Sequence, residues 1–152
     1  MVTREFTEPT SWPAVGEIFE LVLDGNASEN QPLAMVQRDG HNPQGWRHQG
    51  PVVGGRRTKR FKLVEIGYCR NFDEVRCKLT AHGEIPEGQW REAFKARYPK
   101  ADGKGTIGIA DASWVDPVAD ANFPCVYTRG GSDFDWAGGV FVDSWRWLVE
   151  VK

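Results

Sequence analysis

The alternation of apolar and polar side chains predicts a strand near each end of the chain. In residues 18–25 the apolar positions fall on one face at period two, at Phe19, Leu21 and Leu23. A turn signal, Asp24-Gly25-Asn26, follows directly. In residues 140–151 the same alternation builds a strongly aromatic face from Trp145, Trp147, Val149 and Val151. We therefore expect both segments to be strands of a sheet.

Shorter apolar runs between these ends predict the other strands, at residues 33–38, 59–67, 106–110 and 125–128. Within residues 59–67, Phe61 and Leu63 face away from Val64, which is typical of a central strand covered on both sides. Glycine-rich turn signals at 130–132 and 137–139 favour an antiparallel meander over the last third of the chain.

Helical spacing interrupts the strand pattern in the middle of the chain. Asn71 is a suitable N-cap and Glu74 completes a capping box, after which an apolar stripe begins at Phe72 and continues through Val75 and Leu79. Gly83 then predicts a left-handed helix stop.

A second helix is predicted from Pro86 to the residue before Pro99. Its buried stripe is Trp90, Ala93 and Phe94, and its exposed side is expected to carry Gln89, Arg91, Lys95 and Arg97. With strands before and after these helices, the sequence predicts one α+β domain over residues 1–152. Its expected architecture is an antiparallel twisted sheet packed against a two-helix hairpin.

A long loop separates the early strands from the cationic middle of the chain. Residues 39–51 are too rich in glycine and proline for regular structure, and Gly54-Gly55 extends the loop. Loops of more than about 12 residues are uncommon in compact domains and often carry function. This loop contains His41, Trp46 and His48, which makes it a first place to look for a site.

Composition favours one folded domain without a cofactor or a metal. The chain has 152 residues, of which 40% are hydrophobic and seven are tryptophan, enough to bury one core. Its three cysteines contain no C-x-x-C pair, so neither a disulfide framework nor a four-cysteine metal site is expected. Without an apolar run of bilayer length or a signal-peptide pattern, a cytoplasmic protein that does not enter membranes is expected.

Charge is segregated along the sequence although the formal net charge is only −2. Residues 1–37 carry one basic and six acidic side chains, residues 38–100 fourteen and seven, and residues 101–152 four and eight. Five of the basic residues fall within the seven positions 56–62. This cationic run either faces an anionic ligand or neutralises the acidic ends of the chain on folding.

The sequence contains two patterns associated with nucleotide or nucleic-acid binding, but the elements predicted around them do not fit either function. Residues 103–108 match G-x-G-x-x-G, but they follow a predicted helix and lead into a β-like stretch, the reverse of the dinucleotide fingerprint. The helical hairpin is compatible with a helix-turn-helix motif, yet such motifs sit among further helices and only two are predicted. We therefore do not expect nucleic acid as a partner.

Residues 108–114 are a better candidate for a binding site. At the end of a short strand, Asp111 offers an acceptor, Ser113 a donor and Trp114 a stacking surface. The structural alternative is that Asp111 caps a turn while Trp114 fills the core. The full predicted ligand-binding set is Trp46, His48, Arg57, Arg60, Asp111, Ser113 and Trp114.

The leading functional hypothesis is a small, non-enzymatic binding module for an anionic or aromatic ligand at a cationic loop rim. One alternative is a small enzyme in which His41, His48 and Asp111 converge in a cleft. Another is a self-associating structural protein, dimeric through the aromatic face of its last strand, or an accessory protein that binds nucleic acid.

Part of the chain also resembles small bacterial proteins carried on mobile gene cassettes, such as those of integrons. The resemblance lies in Ile85-Pro86-Glu87-Gly88-Gln89-Trp90-Arg91-Glu92-Ala93-Phe94 and in Gly108-Ile109-Ala110-Asp111-Ala112-Ser113-Trp114. It covers about a third of the chain and implies a bacterial cytoplasmic setting and an accessory role. It brings no activity, substrate or cofactor.

Overall fold

The computed structural model describes residues 11–152, which contain eight strands and three helices. The strands are β1 (Phe19–Asp24), β2 (Arg47–His48), β3 (Arg56–Val64), β4 (Ile107–Gly108), β5 (Trp114–Val115), β6 (Ala121–Val126), β7 (Ser132–Trp136) and β8 (Arg146–Glu150). The helices are α1 (Pro32–Arg38), α2 (Phe72–Leu79) and α3 (Trp90–Arg97), and a 3-10 turn spans Ser28–Asn30. Within residues 11–152 none of these helices has the length and apolarity needed to cross a membrane.

All eight strands belong to one mixed sheet. Its order is β1-β3-β8-β4-β6-β5-β2, and β7 pairs with β6 beside this path. The α+β class is confirmed, but the purely antiparallel sheet is wrong, because β4 and β8 pair in parallel. The chain passes through β5, β6 and β7 between these two strands and then returns beside β4 by a crossover connection. The alternation of apolar and polar residues along each strand does not show such a connection.

The helices α2 and α3 cover opposite faces of the sheet and do not form the predicted hairpin. Leu148 of β8 belongs to the core cluster that includes residues of α3, whereas Trp147 and Val149 belong to the cluster of α2. Successive side chains of a strand point to opposite faces, so the two clusters lie on the two sides of β8. The segment between the helices pairs with the end of β8, where Glu84 and Glu150 exchange backbone hydrogen bonds.

The predicted strand β1 is confirmed, and its apolar face lies in the core on the α3 side. Phe19, Leu21 and Leu23 are at most 7% exposed. They pack with a set from β3 and α3 that comprises Phe61, Leu63, Trp90, Ala93 and Phe94. On the α2 side the core is more aromatic, because Trp147 lies among Phe72, Phe123 and Phe141.

Residues 33–38 form a helix, so the strand predicted there is wrong. Pro32 occupies the first turn of α1, where its fixed φ suits a helix and its missing N–H costs no hydrogen bond. Met35 and Val36 are fully buried against Trp114 and Phe134. A run of six residues is too short for its apolar period to separate a strand from a helix, and packing on Trp114 decides between them.

The sequence correctly predicts how α2 begins but not how it ends. Asn71 caps the helix, accepting a hydrogen bond from the Glu74 N–H at 2.8 Å, as predicted. Gly83 has no positive φ, so the predicted left-handed stop is wrong. A Cβ at this position would instead overlap the main-chain carbonyl of Glu150, so glycine is needed for close approach to β8.

This packing gives an expected effect for Gly83→Ala. The added methyl must push the segment before Glu84 away from β8, and we expect a loss of about 1–3 kcal/mol in the free energy of unfolding. Gly54→Ala is the matched control, because a Cβ there meets no atom of residues 11–152 within 4 Å. It should range from neutral to a gain of about 1 kcal/mol. Urea denaturation measures both, and equal midpoints for the two variants would contradict this account.

Candidate functional site at the ends of α1 and α3

The polar side of α3 is largely buried, contrary to its prediction as a solvated face. Gln89 is 0% and Arg91 1% exposed, while Lys95 is half-buried and Arg97 exposed. The Gln89 amide accepts from the Val53 N–H and donates to the Asn30 carbonyl, each at 2.8 Å. A polar side chain is buried at low cost only where the fold supplies partners, and helical periodicity does not show those partners.

Arg91 joins three parts of the chain through its guanidinium group. Its Nη1 donates to Asp39 Oδ2 at 2.7 Å and to the Asp133 carbonyl at 2.8 Å, and its Nε donates to Glu92 Oε2 at 2.8 Å. The side chains of Arg91 and Asp39 are each 1% exposed. The guanidinium also lies over the Phe134 ring, 4.9 Å from its centroid. Arg91 thus holds the end of α1 and strand β7 against α3.

The ionic contacts continue from Arg91 toward the surface. Lys95 Nζ donates to Ser132 Oγ at 2.8 Å, and Ser132 Oγ donates to Asp39 Oδ1 at 2.7 Å. Arg38 Nη2 donates to Glu92 Oε1, and Lys95 Nζ lies 3.8 Å from the same oxygen. We call the six residues the charged cluster: Arg38, Asp39, Arg91, Glu92, Lys95 and Ser132. It contains three cations and two carboxylates.

The protonation behaviour of the charged cluster follows from burial and neighbouring charge. Burial alone would raise the pKa of Glu92, but the cations of Arg91, Lys95 and Arg38 outweigh it and hold that pKa below its ordinary value. Burial lowers the pKa of Lys95, and the nearby Glu92 carboxylate only partly opposes this. Glu92 is therefore stabilised as an anion, while Lys95 carries its charge at a desolvation cost.

A cavity of about 400 Å³ opens over the outer side of the charged cluster. Arg38, Glu92 and Lys95 line it together with Val22, Leu23, Glu29, Asn30, Ala93 and Ala96. The side chains of Arg38 and Lys95 are 39% and 27% exposed, whereas that of Glu92 is 6% exposed. A ligand in the cavity therefore meets the two cations more directly than the carboxylate between them.

Five of the seven predicted binding residues come together around the pairing of β2 with β5. His48 lies opposite Trp114 in this pairing, and the two rings are 4.5 Å apart in an edge-on arrangement. Asp111 accepts hydrogen bonds from the Ser113 hydroxyl and from the Gly88 N–H, the latter at 2.7 Å. Trp46 packs partly buried against the neighbouring cluster of Trp114 and Phe134.

These five residues are packed against the core and do not form an open binding site. Trp114 is fully buried, and its indole N–H donates to the Pro32 carbonyl at 2.9 Å, so it fills the core in the way that the structural alternative describes. Burial lowers the pKa of His48, partly opposed by Asp111. Neither the cavity at Arg38 nor four further cavities of about 170 to about 600 Å³ in residues 11–152 are lined by these five side chains.

Arg57 and Arg60, the other two predicted binding residues, lie elsewhere on exposed positions of β3. Arg57 is opposite Leu23 and Arg60 opposite Glu20 in the pairing with β1. Their odd and even positions place them on opposite faces of the sheet. Four steps of the strand order separate β3 from β5, so the two arginines do not join the group around Trp114.

The histidines of the long loop have separate partners. His41 Nε2 lies 2.6 Å from Asp133 Oδ1, and its ring is 5.5 Å from that of Trp46. His48 instead contacts Trp114 and lies near Asp111. His41 therefore contacts a carboxylate that the enzyme hypothesis did not include. Groups of three or more histidine, cysteine, aspartate or glutamate side chains placed for a metal ion do not occur in residues 11–152.

Replacement of Arg91, the buried cation of the charged cluster, should strongly destabilise the fold. Arg91→Met leaves Asp39 and Glu92 buried with reduced compensation, and we expect a loss of about 3–5 kcal/mol in the free energy of unfolding. Arg57→Met, at an exposed position near the start of β3, is the control and should change it by less than about 0.5 kcal/mol. Adding Asp39→Asn and Glu92→Gln to Arg91→Met should recover part of the loss. A loss below about 1 kcal/mol for Arg91→Met would contradict this role.

Acid should remove the stability that Glu92 contributes. Because the folded-state pKa of Glu92 is lowered from 4.5, its contribution is present above about pH 4.5 and is lost as the pH falls through the folded value. We expect Glu92→Gln to be less stable than the parent protein at pH 7, with the difference shrinking below pH 4.5. Urea denaturation across this range measures the difference. A difference that stays constant with pH would contradict the ionic role of Glu92.

Comparisons with known proteins identify no relative of this chain. No family model, no curated protein and no solved structure matches it. The resemblance of residues 85–94 and 108–114 to proteins of mobile gene cassettes therefore stays a prediction. The candidate function depends on the geometry of the charged cluster and its cavity.

Proposed function

We propose that this protein is a non-catalytic binding module that holds an anionic group of its ligand between Arg38 and Lys95. One observation carries this proposal. Two partly exposed cations converge on the same buried carboxylate oxygen, Glu92 Oε1, at the wall of a cavity of about 400 Å³. A carboxylate or phosphate group in the cavity would be the natural partner of these two side chains.

The hydrogen-bonding capacity of the two cations supports an additional anion. Within residues 11–152 Arg38 donates through Nη2 alone, to Glu92, so Nη1 and Nε are available to a ligand. Lys95 has three N–H donors, and one is directed at Ser132. Because Glu92 and Asp39 both already bind Arg91, the two carboxylates do not fully neutralise the outer cations. Arg38 and Lys95 therefore keep donors for an anion, on a wall that also carries the carboxylate of Glu29.

The desolvation of Lys95 also favours a functional role. A buried charge that is paired is often no more stabilising than an apolar side chain of similar volume. The lowered pKa of Lys95 shows that its cation is disfavoured by burial, although it lies near Glu92. The contacts of Lys95 with Ser132 and Glu92 offset part of this cost, and an anionic ligand would offset more of it.

The sequence suggests another anion site at the cationic run, residues 56–62. The geometry of this run gives weaker support to anion binding. Arg57 and Arg60 face opposite sides of β3, so one small ligand cannot contact both without reaching around the strand. The cavity at Arg38 instead brings two cations onto one wall. A comparison of paired variants separates the two sites.

The test measures the binding of citrate and of inorganic phosphate by titration calorimetry at constant ionic strength. We expect Arg38→Met with Lys95→Met to weaken binding at least about tenfold, because two charge-assisted hydrogen-bonding groups are lost. The matched variant Arg57→Met with Arg60→Met should bind like the parent protein. Loss of binding in the second pair but not in the first would overturn the proposal in favour of the loop rim.

Glu29 provides a test in the opposite direction. It lies exposed on the wall of the same cavity, where its carboxylate repels an anion. Glu29→Gln should therefore tighten the binding of citrate by about two- to fivefold, the size of one exposed charge pair. An unchanged affinity would place the anion away from this cavity.

A further inference from the structure

A groove extends from the cavity at Arg38 along the edge of the sheet. A second cavity, of about 600 Å³, shares Val22, Ala93 and Ala96 with the first. It continues toward the start of β1 and the end of α3, and its other lining residues are Glu17, Ile18, Phe19, Glu20, Arg97 and Tyr98. The groove therefore runs between β1 and α3 for the whole length of the strand, about 20 Å for six residues.

The groove follows the backbone edge of β1. Phe19 and Leu23 point to the α3 face of the sheet and Glu20 and Val22 to the other face, yet all four line the two cavities. Residues of both faces meet one groove only where it passes along the strand edge. Strand β1 is the last in the sheet order, and within residues 11–152 the backbone of residues 18–23 hydrogen-bonds only to β3.

The walls of the groove have room and apolar surface for an added strand. Ala93 and Ala96 present only methyl groups from α3, which leaves space between this helix and β1. Ile18 and Val22 are 52% and 43% exposed along the strand. An edge strand with exposed apolar side chains is a template for pairing with a further strand.

We propose that an extended peptide pairs with β1 and places its C-terminal carboxylate between Arg38 and Lys95. This inference rests on the proposed function, because it uses the same two cations as the anion site. Arg38, Glu29 and Asn30 close the groove at the Asp24 end of β1, so a peptide chain ends there more readily than it continues. With its C-terminus at this end, the peptide runs parallel to β1.

The chemistry of the peptide follows from the alternation of β1. Side chains on the α3 face lie beside Ala93 and Ala96 and should be apolar. On the other face a cation suits the position near Glu20, and β-branched side chains suit those near Ile18 and Val22. A second copy of β1 is the competing occupant that the test must separate. Antiparallel pairing about Val22 would set Glu20 opposite Asp24, which like charges disfavour, whereas pairing about Leu21 would set Glu20 opposite Val22.

The probe for this test is the peptide Lys-Val-Thr-Val-Thr-Val, with fluorescein on its N-terminal amine and a free C-terminal carboxylate, offered to the full chain. Its alternating β-branched residues favour an extended strand. We expect binding in fluorescence anisotropy and slower hydrogen exchange of amides in residues 18–23. The same peptide with a C-terminal amide should bind at least about tenfold more weakly, and so should one with proline at the central valine, which lacks a ladder donor.

A matched pair of protein variants tests the position of the peptide. Ala96→Leu fills the groove with a side chain that suits a helix surface, and we expect it to weaken peptide binding at least about tenfold. Ala81→Leu places the same change at another exposed alanine, just after α2, and should leave the affinity unchanged. Equal effects of the two variants would overturn the assignment to the groove.

The outcomes separate this inference from the proposed function. Citrate binding that depends on Arg38 and Lys95, without peptide binding, would keep the anion site and overturn the strand pairing. Equal affinities for the free acid and the amide would overturn the carboxylate anchor. Failure of both citrate and peptide would overturn both proposals. Peptide binding that emerges only after deletion of residues 1–10, or a concentration-dependent dimer protected at β1, would assign the groove to another occupant and overturn the inference.

Discussion

The buried ion pair of Arg91 and Asp39 is the constraint on which the candidate site depends. Both side chains are 1% exposed, so each charge is tolerable only while the other is in place. The same guanidinium binds the Asp133 carbonyl of β7 and the Glu92 carboxylate beside it. The end of α1, the first turn of α3 and strand β7 are therefore fixed together by one side chain. Arg38 and Lys95 take their positions from these three elements.

This arrangement divides the charged cluster into an inner and an outer part. Arg91 and Asp39 satisfy each other away from water, whereas Arg38 and Lys95 lie at the wall of the cavity with part of their surface exposed. Glu92 connects the two parts, since its oxygens contact Arg91 on one side and Arg38 on the other. The outer cations are thus positioned by buried contacts, which would reduce the entropy cost of binding the proposed anion.

The sequence predicts what local chemistry determines and misses what distant contacts determine. The apolar alternation of β1 and the Asn71 cap of α2 depend on neighbours within a few positions, and both are confirmed. The buried side of α3 depends on Asp39, 52 residues before Arg91, so a charged residue at a helical surface position gave no signal of burial. The mixed sheet has the same origin, because β4 and β8 meet only after three intervening strands.

Strand pairing accounts for much of the charge segregation that stands out in the sequence. Arg56 and Arg60 of the cationic run lie directly across from Asp24 and Glu20 of β1, and Lys59 bonds to Glu150 of β8 at 3.2 Å. The basic middle of the chain thus meets acidic residues from both ends within one sheet. Cations in such a ladder already have acidic neighbours. A high density of basic residues along the sequence is therefore a weak guide to a ligand site. The proposed anion site instead takes its cations from separate elements, because the fold brings Arg38 of α1 and Lys95 of α3 to one cavity.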